Sequence, residues 1–301
     1  MSLLAIILPI ILPILIIVAA GYGLARYTRV SPHPLSQVTT YVLSPCLIFT
    51  ALARTDLQAA GGIRLAALVA AQIALLLFVS LAVGRAMKLD RAARSGVALS
   101  TVLYNSGNYG LPASLFAFGQ EGFGIATVVY VVAAIISYSA GVYLASAGHN
   151  SPGRAFTDIF RLPLIYAAVL GLLVNRTGLA VPLPLWRAIE LMGQGAIPLL
   201  LVALGAQLAH ARPSTVDAPL GAVTALRLFA SPALTAMLLP VFGITGLAGR
   251  VVVLSSAMPT AVNAFLVAAQ FETAPAFVAS AVLVTTLASF LTIPVVLLWL
   301  Q

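Results

Sequence analysis

Charge is what this sequence has least of: 15 Lys+Arg and 7 Asp+Glu in 301 residues, 7% of the chain, against about a quarter in an ordinary soluble protein. With 61% of residues hydrophobic, that scarcity excludes a soluble globular domain and a disordered chain alike. Only a bilayer solvates so much apolar surface. A single cysteine, Cys46, cannot close an internal disulfide, so a disulfide scaffold is excluded too. The three histidines, His33, His149 and His210, are too dispersed for a metal site and read as solvated loop residues. The chain also lacks HExxH, GxSxG and any pair of carboxylates inside an apolar run, so no catalytic constellation is present and an enzyme is not expected.

What is present is a series of apolar runs. Crossing about 30 Å of hydrocarbon takes about 20 helical residues. Runs between Pro-, Gly-, Ser- and Arg-rich punctuation predict ten spans near 3–25, 37–53, 65–87, 95–117, 123–146, 159–175, 187–209, 219–243, 249–270 and 275–300. The first run lacks a basic leader and is too long for a signal peptide, so it reads as a span. Nine cations, Arg26, Arg29, Arg85, Lys88, Arg91, Arg94, Arg154, Arg161 and Arg212, then share one side, with Arg227 just inside the eighth span near that end. Arg54, Arg64, Arg176, Arg187 and Arg250 lie on the other. By the positive-inside rule both termini are outside a cell (inner) membrane. The net charge of +8 is thus an orientation signal rather than a nucleic-acid footprint.

A second regularity is an offset of about 150 residues. Pro13, Gly21, Arg26, Pro32 and Pro34 recur as Pro163, Gly171, Arg176, Pro182 and Pro184, and Pro45 pairs with Pro198 after a three-residue insertion. Five spans per half is odd, so the second half is inverted relative to the first, as in many carriers. The expected units are 1–147, a cytoplasmic linker at 148–158, and 159–301.

Two spans are interrupted. The fourth carries Asn105-Ser-Gly-Asn-Tyr-Gly-Leu-Pro112 at mid-membrane depth, and the ninth carries Ser255-Ser256, Pro259-Thr260 and Asn263. Pro112 has no N–H, and Gly107 and Gly110 accept non-helical backbone at no steric cost. Unpaired backbone in lipid costs several kcal/mol per group, so both breaks belong inside protein or beside a watery cavity. Half-helix N-termini there suit a carboxylate. The candidate substrate-binding residues are Asn105, Gly107, Asn108, Tyr109, Gly110, Pro112, Pro259, Thr260 and Asn263, with Pro45 beside the crossover. Tyr130, Ser137 and Tyr138 could add a polar face from the fifth span.

The segments YVLSPCLIFTALA, NSGNYGLPASLFAFG, IPLLLVALGAQLA and MPTAVNAFLVAAQFE, the last followed by ASAVLVTTLASFLTIPVVLLWL, resemble bacterial members of the auxin efflux carrier family. That family includes malate- and malonate-type permeases and is related to the plant PIN-FORMED auxin exporters. The resemblance runs over essentially the whole chain. It implies an all-helical membrane protein of ten helices in two inverted five-helix repeats, divided into scaffold and transport domains. Helices four and nine would cross at their proline breaks, as in bile-acid sodium symporters. It also implies that Asn105 to Pro112 and Pro259 match the crossover that holds an organic anion. The acidic residue that plant members carry in span three has no counterpart, Gln72 being the strongly polar residue there.

The acidic residues fall at or near span ends, whereas an obligatory proton relay usually needs one deep in the bundle. Glu190, with Gln194 four residues on, is the deepest candidate for coupling, and Arg227 could draw anions into the cytoplasmic mouth. The expected function is a secondary carrier for a small organic anion, working by efflux or uniport. An Na⁺- or H⁺-coupled symporter of bile-acid type is the alternative, and an intramembrane enzyme or a channel is remote. No cofactor is expected beyond such a coupling ion. The expected partners are the substrate and the bilayer, a homodimer is open, and nucleic acid is not a partner.

Overall fold

The computed structural model describes residues 7–28, 30–56, 62–145, 163–210 and 217–300. The expected linker at 148–158, with His149, Arg154 and Arg161, lies outside the described residues, as do Arg29 and Arg212. The fold is all-helical. The helices are α1 (Leu12–Thr28), α2 (Pro32–Val38), α3 (Ser44–Arg54), α4 (Gly62–Ala86), α5 (Arg91–Val102) and α6 (Leu111–Ala145). They continue as α7 (Pro163–Thr177), α8 (Leu183–His210), α9 (Ala218–Ala225), α10 (Ser231–Phe242), α11 (Gly246–Ser256), α12 (Val262–Gln270) and α13 (Pro275–Trp299). Among the described residues seven helical runs are long and apolar enough to cross a membrane, and α7 and α11 are shorter apolar helices. The chain is a polytopic membrane protein.

Among the described residues four π-helical turns, Ile7–Ile11, Thr39–Leu43, Ser106–Gly110 and Leu226–Ala230, interrupt the helical runs. Each ends two residues before a proline: Pro13, Pro45, Pro112 and Pro232. A helical proline lacks its N–H and its ring crowds the carbonyl four residues back. Widening the preceding turn relieves the clash. Accordingly the N–H of Ser44 reaches the Thr39 carbonyl, and that of Ser231 reaches Leu226, five residues back in both cases. At Gly119 (φ 66°, ψ −162°) the chain breaks α6 into two helices, a backbone conformation open to glycine. Between the first two expected spans, where His33 reads as a loop residue, Ser31 to Pro34 begins a helix instead. Ser31 Oγ accepts from the His33 N–H at 3.3 Å, and Pro32 takes the first turn, where its missing N–H costs nothing.

The helices fall into two groups by mutual contact. In the first, α1 lies against α8, and α3 lies against α7 and α8. Lipid tails are as apolar as leucine, so helices associate in a bilayer through close packing rather than water exclusion. The α1–α8 contact is close because both partners are glycines: a Cβ on Gly21 would stand 2.1 Å from the Val202 carbonyl oxygen, and one on Gly205 would stand 2.0 Å from that of Val18. The second group joins α4, α5, α6 and α9–α13. The groups meet where α8 touches the π turn at Ser106–Gly110 and where α3 touches α6.

Candidate functional site

The interrupted spans meet at their breaks. Between α5 and the π turn at Ser106–Gly110, and between α11 and α12, the chain runs extended, and Tyr104 and Thr260 pair antiparallel. The Asn105 N–H donates to the Pro259 carbonyl at 2.8 Å, and the Ala261 N–H donates to the Leu103 carbonyl at 2.9 Å. The end of α5 would otherwise leave orphan carbonyls in a dry interior. All have donors: Thr260 Oγ1 bonds Ser100 (2.7 Å), Arg227 bonds Thr101, Ser137 Oγ bonds Val102 (3.1 Å) and the Ala261 N–H bonds Leu103. Thr285 Oγ1 accepts from the Thr260 N–H at 3.0 Å. A backbone disruption unaffordable in lipid is thus satisfied by protein on its buried side.

The other side of the crossover faces a cavity of about 760 Å³. Asn105, Ser106, Gly107 and Asn108 line it from the first break, and Ala261, Val262 and Asn263 from the second. Two helical starts therefore point at one space. The first is capped: Asn105 Oδ1 accepts from the Asn108 N–H at 3.1 Å. At the second, Ala261 supplies no side-chain cap. Asn105 is 4% exposed, and its amide nitrogen is buried without a partner. A buried amide donor left unmade costs about 1–3 kcal/mol. No carboxylate and no Lys or Arg stands among the described lining residues.

The predicted site residues divide. Asn105, Gly107, Asn108 and Asn263 reach the cavity, whereas Tyr109, Gly110, Pro112, Pro259 and Thr260 are buried behind it. Those five shape the crossover. Tyr109 packs on Phe290 with ring centroids 5.8 Å apart, and the Thr260 hydroxyl is spent on Ser100. Pro45 is also off the cavity wall, which the π turn ahead of it lines with Thr39, Thr40 and Tyr41 and the first residue of α3 lines with Ser44.

Glu190 and Gln194 are not near the cavity. Glu190 pairs with Arg54 at 2.7 Å and accepts from Trp186 Nε1 at 3.1 Å, where the end of α3 meets the start of α8. Gln194 is exposed on the outer face of α8. An exposed pair of this kind contributes about 0–1 kcal/mol. Arg227 requires a larger correction. It is neither a boundary cation nor a lining residue of the mouth, but 0% exposed, on the π turn that precedes Pro232. Gln72 is buried with it, its Nε2 donating to Ser231 Oγ at 3.1 Å.

Several lining residues were not anticipated as site residues. Gln207 Nε2 donates to Ser36 Oγ at 3.2 Å, tying α8 to α2 within the first helix group, and Gln207 Oε1 is buried without a partner. A lone glutamine in IPLLLVALGAQLA was the available signal. His33 and His210, read as loop histidines, lie in α2 and α8 and line the mouth with Gln37 and Gln270. Tyr130 and Ser137, by contrast, are where the sequence reading expects a polar face, and both line the cavity from α6.

An all-helical membrane protein with two interrupted helices paired beside a cavity has the architecture of a solute carrier rather than of an enzyme. The sequence pattern of the membrane transport protein family matches residues 6–158 and 153–297, and the chain belongs to that family, the auxin efflux carriers. It is 28% identical over 294 residues to an uncharacterized transporter of Methanothermobacter thermautotrophicus, covering 94% of this chain and 95% of that protein. It is 24% identical over 219 residues to an uncharacterized transporter of Methanocaldococcus jannaschii, covering 70% of this chain and 69% of the other. The protein is a membrane transporter.

Proposed function

We propose that the chain is a secondary carrier for a small carboxylate-bearing organic anion, bound at the crossover and exposed to each side in turn. The observation that carries this reading is the unpartnered Asn105 amide, buried at the wall of a cavity with no carboxylate among its described lining residues. Asn105, Asn108 and Asn263 supply amide donors, and the uncapped start of α12 adds N–H groups and a partial positive charge. Neutral donors bind an anion without the desolvation cost of a buried counter-charge and release it more readily.

The two helix groups supply the moving parts. Elevator-like displacement of α4–α6 and α9–α13 against α1–α3, α7 and α8 carries the crossover between sides. The matched segments divide near residues 153–158, which supports a division into two repeats, 1–147 and 159–301, joined at 148–158; five spans in each would set them in inverted sense. With both termini outside an inner membrane, the cavity mouth at His33, His210 and Gln270 is cytoplasmic, so this conformation is inward-facing.

An inside-negative potential expels a monoanion with about 2.3 kcal/mol per 100 mV, roughly a fiftyfold gradient. Efflux therefore needs no coupling ion. Proteoliposomes loaded in turn with mono- and dicarboxylates test this under separately imposed voltage, Na⁺ and proton gradients. Voltage alone is expected to drive carboxylate flux, and the ion gradients to add nothing. Absence of flux for every carboxylate contradicts the carrier reading, and flux that requires Na⁺ or protons contradicts uniport.

A further inference from the structure

Among the described residues Arg227 is a fully buried cationic side chain that anion binding at the crossover does not use. Its guanidinium donates to the carbonyl of Thr101 in the last turn of α5 and to that of Ser256, the last residue of α11. It also donates to Ser231 Oγ, which donates in turn to the Ser256 carbonyl at 2.7 Å and accepts from Gln72 Nε2. The Tyr104 ring covers the guanidinium at 4.7 Å from its centroid, and Tyr104 lines the cavity. Among the described residues no carboxylate stands within ion-pair distance of Arg227.

The countercharge is the backbone. A helix C-terminus carries about half a negative charge, so the converging ends of α5 and α11 present about one. The two breaks thus sort their dipoles: helical starts face the cavity, helical ends face Arg227. In carriers with broken helices, half-helix C-termini and unwound carbonyls are where a coupling cation is held. We propose that Arg227 is a resident substitute for such a cation, its guanidinium standing where carbonyl oxygens of Thr101 and Ser256 and the Ser231 hydroxyl would otherwise hold a monovalent metal ion. Its consequence for transport rests on the carrier reading. Its consequence for cation binding does not.

Removing the side chain then uncovers a vacant oxygen-lined site. The test is thermal unfolding of the full chain in detergent, in choline, Na⁺, Li⁺ or K⁺ chloride at constant ionic strength. Wild type and Arg227→Lys are expected to melt at the same temperature in all four salts. Arg227→Ala is expected to melt lower in choline and to recover in one of the metal salts. At ten times the dissociation constant the rise is about 3–6 °C, and it saturates. Arg227→Ser, which keeps a hydroxyl for the ion, is the second variant and is expected to respond at least as strongly. Melting of both small-residue variants that is indifferent to the metal ion overturns the proposal, as does failure to recover either in any salt. Metal-specific stabilisation of the wild type overturns it as well. Absence of carboxylate flux from the wild type would count against the carrier reading and leave the cation result standing.

Discussion

Asn105→Asp is expected to abolish carboxylate flux while the protein still folds. The substitution keeps the acceptor that caps the Asn108 N–H at 3.1 Å, so the π turn and the start of α6 retain their anchor. What changes is the buried amide nitrogen without a partner, which becomes a second acceptor bearing negative charge. A carboxylate about 4 Å from a bound carboxylate, at an effective dielectric of about 20, is opposed by about 4 kcal/mol, close to three orders of magnitude in affinity. Asn105→Ala is expected to be milder for transport, at about 10- to 100-fold, since only a hydrogen bond to a charged group is lost. It is harsher on the fold, costing the cap about 1 kcal/mol. Initial flux rates in proteoliposomes, read beside melting temperatures in detergent, separate the two effects. An Asp variant that transports like wild type contradicts the donor role of Asn105.

Gly205→Ala is expected to have the largest effect on stability of any single methyl addition in the first helix group. The new Cβ would stand 2.0 Å from the Val18 carbonyl oxygen and 2.7 Å from the Tyr22 nitrogen, both backbone atoms that no rotamer change can move. The helices α1 and α8 must separate, and in a bilayer their association rests on that close approach. Overpacking of this kind costs about 3 kcal/mol, or roughly 10 °C in melting temperature. Gly221→Ala, where a Cβ meets nothing within 4 Å, is the control and is expected to leave the melting temperature within about 2 °C of wild type. Thermal unfolding of the three proteins in one detergent checks it. Equal melting temperatures contradict the close-packed α1–α8 contact.

Much of the architecture was legible because membrane helices leave strong marks in one dimension. Long apolar runs gave the helical class, and Asn105 to Pro112 marked a break because two Asn, two Gly and one Pro cannot sit together in a lipid-exposed helix. Which residues of that cluster face the cavity was not legible. The extended pairing of Tyr104 with Thr260 fixes it, and that pairing joins positions 156 residues apart. Tyr109 and Asn108 are neighbours in sequence, yet one packs on Phe290 and the other lines the cavity.

Arg227 shows the limit most plainly. A cation eight residues into an apolar run reads as a span-end charge, since isolated burial is costly. Its actual partners are carbonyls at the ends of α5 and α11, which become acceptors only where those helices stop. The π turn that carries Arg227 depends on Pro232 five residues on, a signal present in the sequence that fixes a local widening but not its direction. His33 lies in a helix for a simpler reason: Ser31 followed by Pro32 suits a turn in sequence and equally a helix start.

Protection of a thiol at the start of α12 tests anion binding at the crossover most directly. Val262 lines the cavity beside Asn263 without being one of the proposed polar donors. A Val262→Cys variant in a Cys46→Ser background places a thiol at a helix N-terminus, where it is reactive. Binding at the crossover predicts that a transported carboxylate slows its alkylation at least fivefold, saturably, and leaves a control Thr177→Cys, exposed at the end of α7, unchanged. An alkylation rate at Val262→Cys that stays constant through saturating concentrations of a carboxylate the same variant transports would contradict it.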